Sequence, residues 1–243
     1  MSLFEYLLRL GDNDLVLSQR LGEWCGHGPV LEEDLALTNV ALDLLGQARL
    51  WLTYAGEIEG RGRDEDQLAF LRDAGDFRNV LLVEQPNGNY AETMARQFYF
   101  DAWHSVLLQA LRESKDSRIA EIAGKSLKEV TYHLQRSTDW VIRLGDGTAA
   151  SHRKMQGAID DLWVYTGELF EMDDVDRQVG CDLEALHEPW LDSVRKTLGE
   201  ATLDVPPARW MQRGGKQGRH TEKLGILLAE MQFLQRAYPG AKW

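Results

Sequence analysis

At 243 residues, 44% hydrophobic and 27% charged, the chain has the composition of a folded globular protein and the length to bury a large core, which excludes a disordered or fibrous polypeptide. A formal net charge of −12 argues against nucleic acid or an anionic membrane as the main partner. Cys25 and Cys181 fit no zinc or redox spacing, no positively charged leader opens the sequence, and no apolar run reaches the roughly 20 residues of a membrane span, so one cytoplasmic domain over 1–243 is expected.

Helical periodicity dominates the chain. Asp12-Asn13-Asp14, after Gly11, reads as a helix N-terminus, with Leu15, Leu17, Leu21 and Trp24 following at helical spacing until Gly26-His27-Gly28-Pro29. A long second helix opens on Glu32-Glu33-Asp34 and carries Leu37, Val40, Ala41, Leu44, Ala48, Trp51 and Ala55 on one face. After a charged link and a short helix near Leu68–Arg72, the turn Pro86-Asn87-Gly88-Asn89 starts a third long helix, on which Met94, Phe98, Asp101, Ser105 and Leu108 form a stripe. Ser117 is expected to cap a fourth, with Ile119, Ile122, Ser126, Val130, His133, Ser137 and Val141 on one side. A fifth runs from Met155 to Leu169, a sixth from Leu186 to Leu198, and a last from Leu224 to Leu234, after a basic glycine-rich loop at Arg213–Arg219. No segment alternates as a strand, so the fold expected is all-α: a ferritin-like long four-helix bundle with additional C-terminal helices.

Such bundles hold two irons with one Glu from each of two helices and Glu-x-x-His from each of two others, because residues three apart share a helix face. Here the donors are incomplete. The second helix offers Asp43, but Gly46 stands where His is wanted. The third offers Asp101 and His104 at the right spacing, with Asp for Glu. The fourth offers Glu129 and His133 four apart, with Tyr132 in the His position, and the first supplies only Glu23. Asp43, Asp101, Glu129 and His133 are therefore read as a degenerate metal site, a buried hydrogen-bonded network in which Lys125 or Lys128 could neutralise a carboxylate. No metal or other cofactor is expected in this chain, and no catalytic residues can be assembled. Glu184-Ala185-Leu186-His187 is an isolated match read as chance, His27 a turn residue, and the tryptophans, Trp243 among them, core or interface filler. The Gly214–His220 string is not a Walker loop, but Lys216 and Arg219 before a helix could meet phosphates.

The stretches LGDNDLVLSQRLGEWCGHGP, LEEDLALTNVALDLLGQARL, VEQPNGNYAETMARQFYFDAW, KEVTYHLQRSTDWVIRLGDGT and HTEKLGILLAEMQFLQRAYPGAKW resemble the structural C-subunit family of bacterial phenylacetyl-CoA epoxidases. The resemblance covers nearly the whole chain. It implies a ferritin-like, non-catalytic subunit of a multicomponent monooxygenase that epoxidises the ring of phenylacetyl-CoA in aerobic phenylacetate breakdown. A homologous A subunit would carry the di-iron centre and pair with this chain, with a small B subunit and a reductase completing the system. Lys216 and Arg219 would then stand as candidates for the phosphates of CoA. The alternative is a self-sufficient di-iron oxidase or an iron-binding ferritin-like protein.

Overall fold

The computed structural model describes residues 2–179 and 181–241, so Trp243 lies outside the described residues. Among those described no strand is present, and ten α-helices follow one another: α1 (Ser2–Gly22), α2 (Leu31–Glu59), α3 (Glu65–Phe70), α4 (Tyr90–Leu111), α5 (Ser117–Gly145), α6 (Ala149–Leu162), α7 (Asp174–Val179), α8 (His187–Glu200), α9 (Glu222–Met231) and α10 (Phe233–Ala237). None of them is long and apolar enough to cross a membrane. The chain divides into two compact units, Met1–Pro86 with Gly214–Trp243, and Asn87–Arg213.

The first unit is built on the antiparallel pair α1 and α2. Helix α1 begins at Ser2, so the residues read as its N-terminus, Gly11 to Asp14, lie mid-helix and buried. The tertiary structure satisfies Asp12 and Asn13. Gly11 sits against α2 so closely that a Cβ would lie 2.7 Å from Leu52 Cδ2. Asp12 is ion-paired with the buried guanidinium of Arg72 and accepts from the Arg78 amide at 2.8 Å, while Asn13 Oδ1 accepts from the Val80 amide at 2.8 Å. Polar residues that would cap an isolated helix here hold the segment 72–80 instead. The second helix is as expected and closes on Gly60 in the left-handed region.

The basic glycine-rich loop is fixed in the same unit. Gly215 packs on the Asn79 carbonyl with no room for a Cβ. Fully buried Glu84 accepts from His220 Nδ1 at 2.8 Å, from the Thr221 amide at 2.6 Å and from Asn79 Nδ2 at 3.0 Å. Burial opposes charge on His220, but the Glu84 hydrogen bond and carboxylate outweigh it and raise its pKa. The final helical run then breaks at Gln232, which donates to the carbonyls of Ala69 and Arg72 at 3.0 Å each.

In the second unit α4 and α5 run antiparallel. Asn89 caps α4, accepting from the amides of Ala91 and Glu92. Asp116, not Ser117, caps α5. The expected fifth helix stops at Leu162 and continues as short turns at Trp163–Tyr165 and Gly167–Phe170. An aromatic core explains the stop. Tyr99 donates to the Ile159 carbonyl, Trp190 Nε1 to the Tyr99 carbonyl and Trp103 Nε1 to the Leu169 carbonyl, each at 3.1 Å, while Trp163 stacks on Trp190 at 5.6 Å. Trp51, Trp103, Trp163 and Trp190 are buried as expected, Trp24 and Trp140 half-buried, and Trp210 exposed.

Candidate functional site

The polar cluster of interest lies inside the second unit, between α4 and α5. Their facing stripes are set by packing, and the buried residues of α5 include Ser126, Val130, His133, Arg136 and Ser137. Tyr132 is exposed on the other side and Glu129 is half-buried off the stripe. One residue turns a helix by about 100°. The residue three before His133 on the inner face is therefore Val130, which has no donor atom. The same correction applies to α2 in the first unit, whose buried stripe carries Leu44 and Gln47, leaving Asp43 half-buried and Gly46 exposed. Gly46 and Tyr132 are not interior places from which a histidine is missing. Glu23, beyond the end of α1, is exposed and pairs with Arg20 at 2.8 Å.

Asp101 and His104 of α4 are both buried, as is His133, and these three belong to one neighbourhood. Ser137 Oγ donates to Asp101 Oδ2 at 2.8 Å and Gln97 Nε2 to Oδ1 at 2.6 Å. Both carboxylate oxygens thus accept from protein donors. Lys125 and Lys128 are exposed, so neutral groups rather than lysines satisfy the carboxylate. Around this core Arg136 donates to Tyr90 Oη at 3.2 Å, and Tyr90 meets Trp140 edge-on at 5.1 Å. Asp43 belongs to the first unit.

Burial dominates the electrostatics. It raises the Asp101 carboxyl to about 6, against the opposing influence of His133, the Ser137 and Gln97 hydrogen bonds and Arg136. Burial likewise lowers His104 to about 3, helped by the charge of His133, so its imidazole is neutral across physiological pH. Two imidazoles and one carboxylate fall short of the four carboxylates and two histidines of a di-iron bundle site. Among the described residues no three His, Cys, Asp or Glu side chains are arranged to hold a metal ion. The described residues of this cluster do not make up that donor set. What the cluster can do is hold α4 and α5 in register through directional hydrogen bonds.

The sequence singled out Asp101, His104 and His133, which the fold brings together, but missed Gln97 as the partner of Asp101. Its position one helical turn before Asp101 was the available signal. Of the two loop cations, Lys216 is buried and Arg219 exposed. The isolated Glu184-x-x-His187 has His187 edge-on to Phe170 at 4.9 Å, within the aromatic core.

Comparison with known proteins agrees over the same length. The chain is 55% identical over 243 residues, 98% of both chains, to the C subunit of the 1,2-phenylacetyl-CoA epoxidase of Escherichia coli strain K12. The family model described as "Phenylacetic acid catabolic protein" matches residues 1–243, and the chain belongs to that family.

Proposed function

We propose that this chain is the non-catalytic C subunit of a phenylacetyl-CoA epoxidase complex, pairing with and stabilising a di-iron A subunit. The observation that carries the non-catalytic part is the state of Asp101: its two oxygens are taken by Ser137 and Gln97, and the α5 stripe places Val130 where a second carboxylate would stand. The relative's designation as a subunit supports membership of the complex. In this reading the iron, the oxygen chemistry and the main substrate pocket belong to the A subunit, with a small B subunit and a reductase supplying the rest. The contribution of this chain is rigidity, from a core in which buried polar groups are matched across α4 and α5.

Metal analysis by plasma mass spectrometry tests the proposal, on the chain purified alone and on the chain co-expressed with its A subunit. Iron in the complex and none in the lone chain is the expected result; about two irons per lone chain would overturn it and favour a self-sufficient di-iron protein. For the phosphates of CoA, the exposed Arg219 is the candidate cation, and buried Lys216 contributes by holding the loop. Arg219→Gln in the assembled complex should raise the KM for phenylacetyl-CoA; an unchanged KM removes Arg219 from that role.

A further inference from the structure

Helix α2 has two apolar faces. One is the buried stripe through Leu37, Leu44 and Trp51. On the other, Leu31, Leu35, Thr38, Leu42, Leu45 and Arg49 recur at alternating intervals of four and three residues. Its four leucines are 71%, 56%, 60% and 39% exposed. That alternation averages about one residue every 3.5, the repeat that keeps a seam facing a second helix. It spans about 27 Å at 1.5 Å per residue. Scattered surface leucines are ordinary, but four in register on one helix are a contiguous patch.

The seam runs into a groove of about 570 Å³ between α2 and α3, lined by Leu42, Leu45, Gly46 and Leu52 with Ala69 and Phe70. A Cβ at Gly46 would meet nothing, so the missing side chain widens the entrance. The room suits a large apolar side chain from an opposing helix.

Charge identifies the occupant. Acidic groups dominate the borders of the seam: exposed Glu32 at its start, half-buried Asp43 beside Leu42 and exposed Asp66 at the groove. The base that ends it, Arg49, is already paired with Glu65 at 3.1 Å. A second copy would bring the same acidic borders against themselves, in a chain of net charge −12. A helix with an apolar seam and basic flanks is complementary.

We infer that the exposed seam of α2, from Leu31 to Arg49, is the docking surface for a basic-flanked helix of the non-identical A subunit, with one large apolar side chain seated in the α2–α3 groove. This rests on the subunit reading above. It assigns the contact to the first unit rather than to the second, which holds the Asp101 cluster.

Association of the purified chain with its A subunit, followed by sedimentation velocity and by binding kinetics, tests the seam. Leu35→Ala with Leu42→Ala should weaken binding about thirtyfold or more, as truncation of central anchors does. Its urea unfolding curve when alone should match the parent, because both side chains are exposed. Glu32→Lys should slow association and reduce its dependence on salt, and Tyr132→Ala, an exposed aromatic on α5, should change neither. Unaltered affinity in the double leucine variant overturns the inference while leaving the subunit reading intact. A lone-chain dimer split by that variant, with A binding unaffected, assigns the seam to a second copy and overturns it too. Failure of the parent chain to bind the A subunit at all defeats the subunit reading itself.

Discussion

Asp101→Asn changes a buried carboxyl into a group of the same shape that cannot titrate. Ser137 can still donate to its oxygen, and the Gln97 side-chain carbonyl, which has no hydrogen-bond partner, can turn to accept from the new amide. The parent carboxyl has a pKa of about 6 when folded, against an ordinary value of 3.8. Between those values the folded state binds more protons than the unfolded one, so this group's contribution to stability rises as pH falls from about 6 to about 4 and is lost as pH rises. His104 acts oppositely. Its folded pKa of about 3, against 6.5, leaves it neutral while the unfolded chain protonates, so stability is present above pH 6.5 and falls with pH down to about 3. At about 1.4 kcal/mol per pH unit the two slopes nearly cancel between pH 6 and 4. The variant keeps only the histidine slope. Urea unfolding followed by tryptophan fluorescence on dilute protein, since the sequence pI is near 5.0, gives the difference between variant and parent. The variant should equal or exceed the parent at pH 7.5 and lose about 2 kcal/mol relative to it by pH 4.5. Unfolding free energies that stay parallel across that range would refute the reasoning, because every other group cancels in the difference.

Asp101→Ala, which removes the acceptor of both Ser137 and Gln97, should cost about 2–3 kcal/mol in the same assay without altering metal content. Gly11→Ala forces a Cβ to 2.7 Å from Leu52 Cδ2 and should cost about 1–3 kcal/mol, seen as a lowered Tm. Tyr132→His places the motif residue on the exposed face of α5, so iron content should stay unchanged and stability shift by no more than about 0.5 kcal/mol. His220→Gln should flatten the pH dependence of stability above pH 6.5: the raised pKa of His220 gives stability that is full below 6.5 and lost as pH rises through the folded value, a slope visible by hydrogen exchange of α9.

The sequence by itself determined the helical class, the positions of α2, α4 and α5 and the family, because apolar periodicity and long matching stretches are local properties of the chain. It also singled out Asp101, His104 and His133, since three-residue spacing on a helix is legible without coordinates. Phase was not. Glu129-x-x-Tyr132 and Asp43-x-x-Gly46 were aligned to a metal motif, yet packing rotates Val130 with His133, and Leu44 with Gln47, to the inner faces. On α2 periodicity picked out the face through Leu37, Leu44 and Trp51 that is buried, but not the second, exposed row of Leu31, Leu35, Leu42 and Leu45. Nor could local rules place Gly11-Asp12-Asn13-Asp14 inside a helix, because Arg72, Arg78 and Val80, which satisfy the two middle residues, lie some sixty residues away. The Glu84–His220 pair spans 136 residues. Such partners exist only once the chain has folded, when burial makes an unpaired polar group too costly to leave.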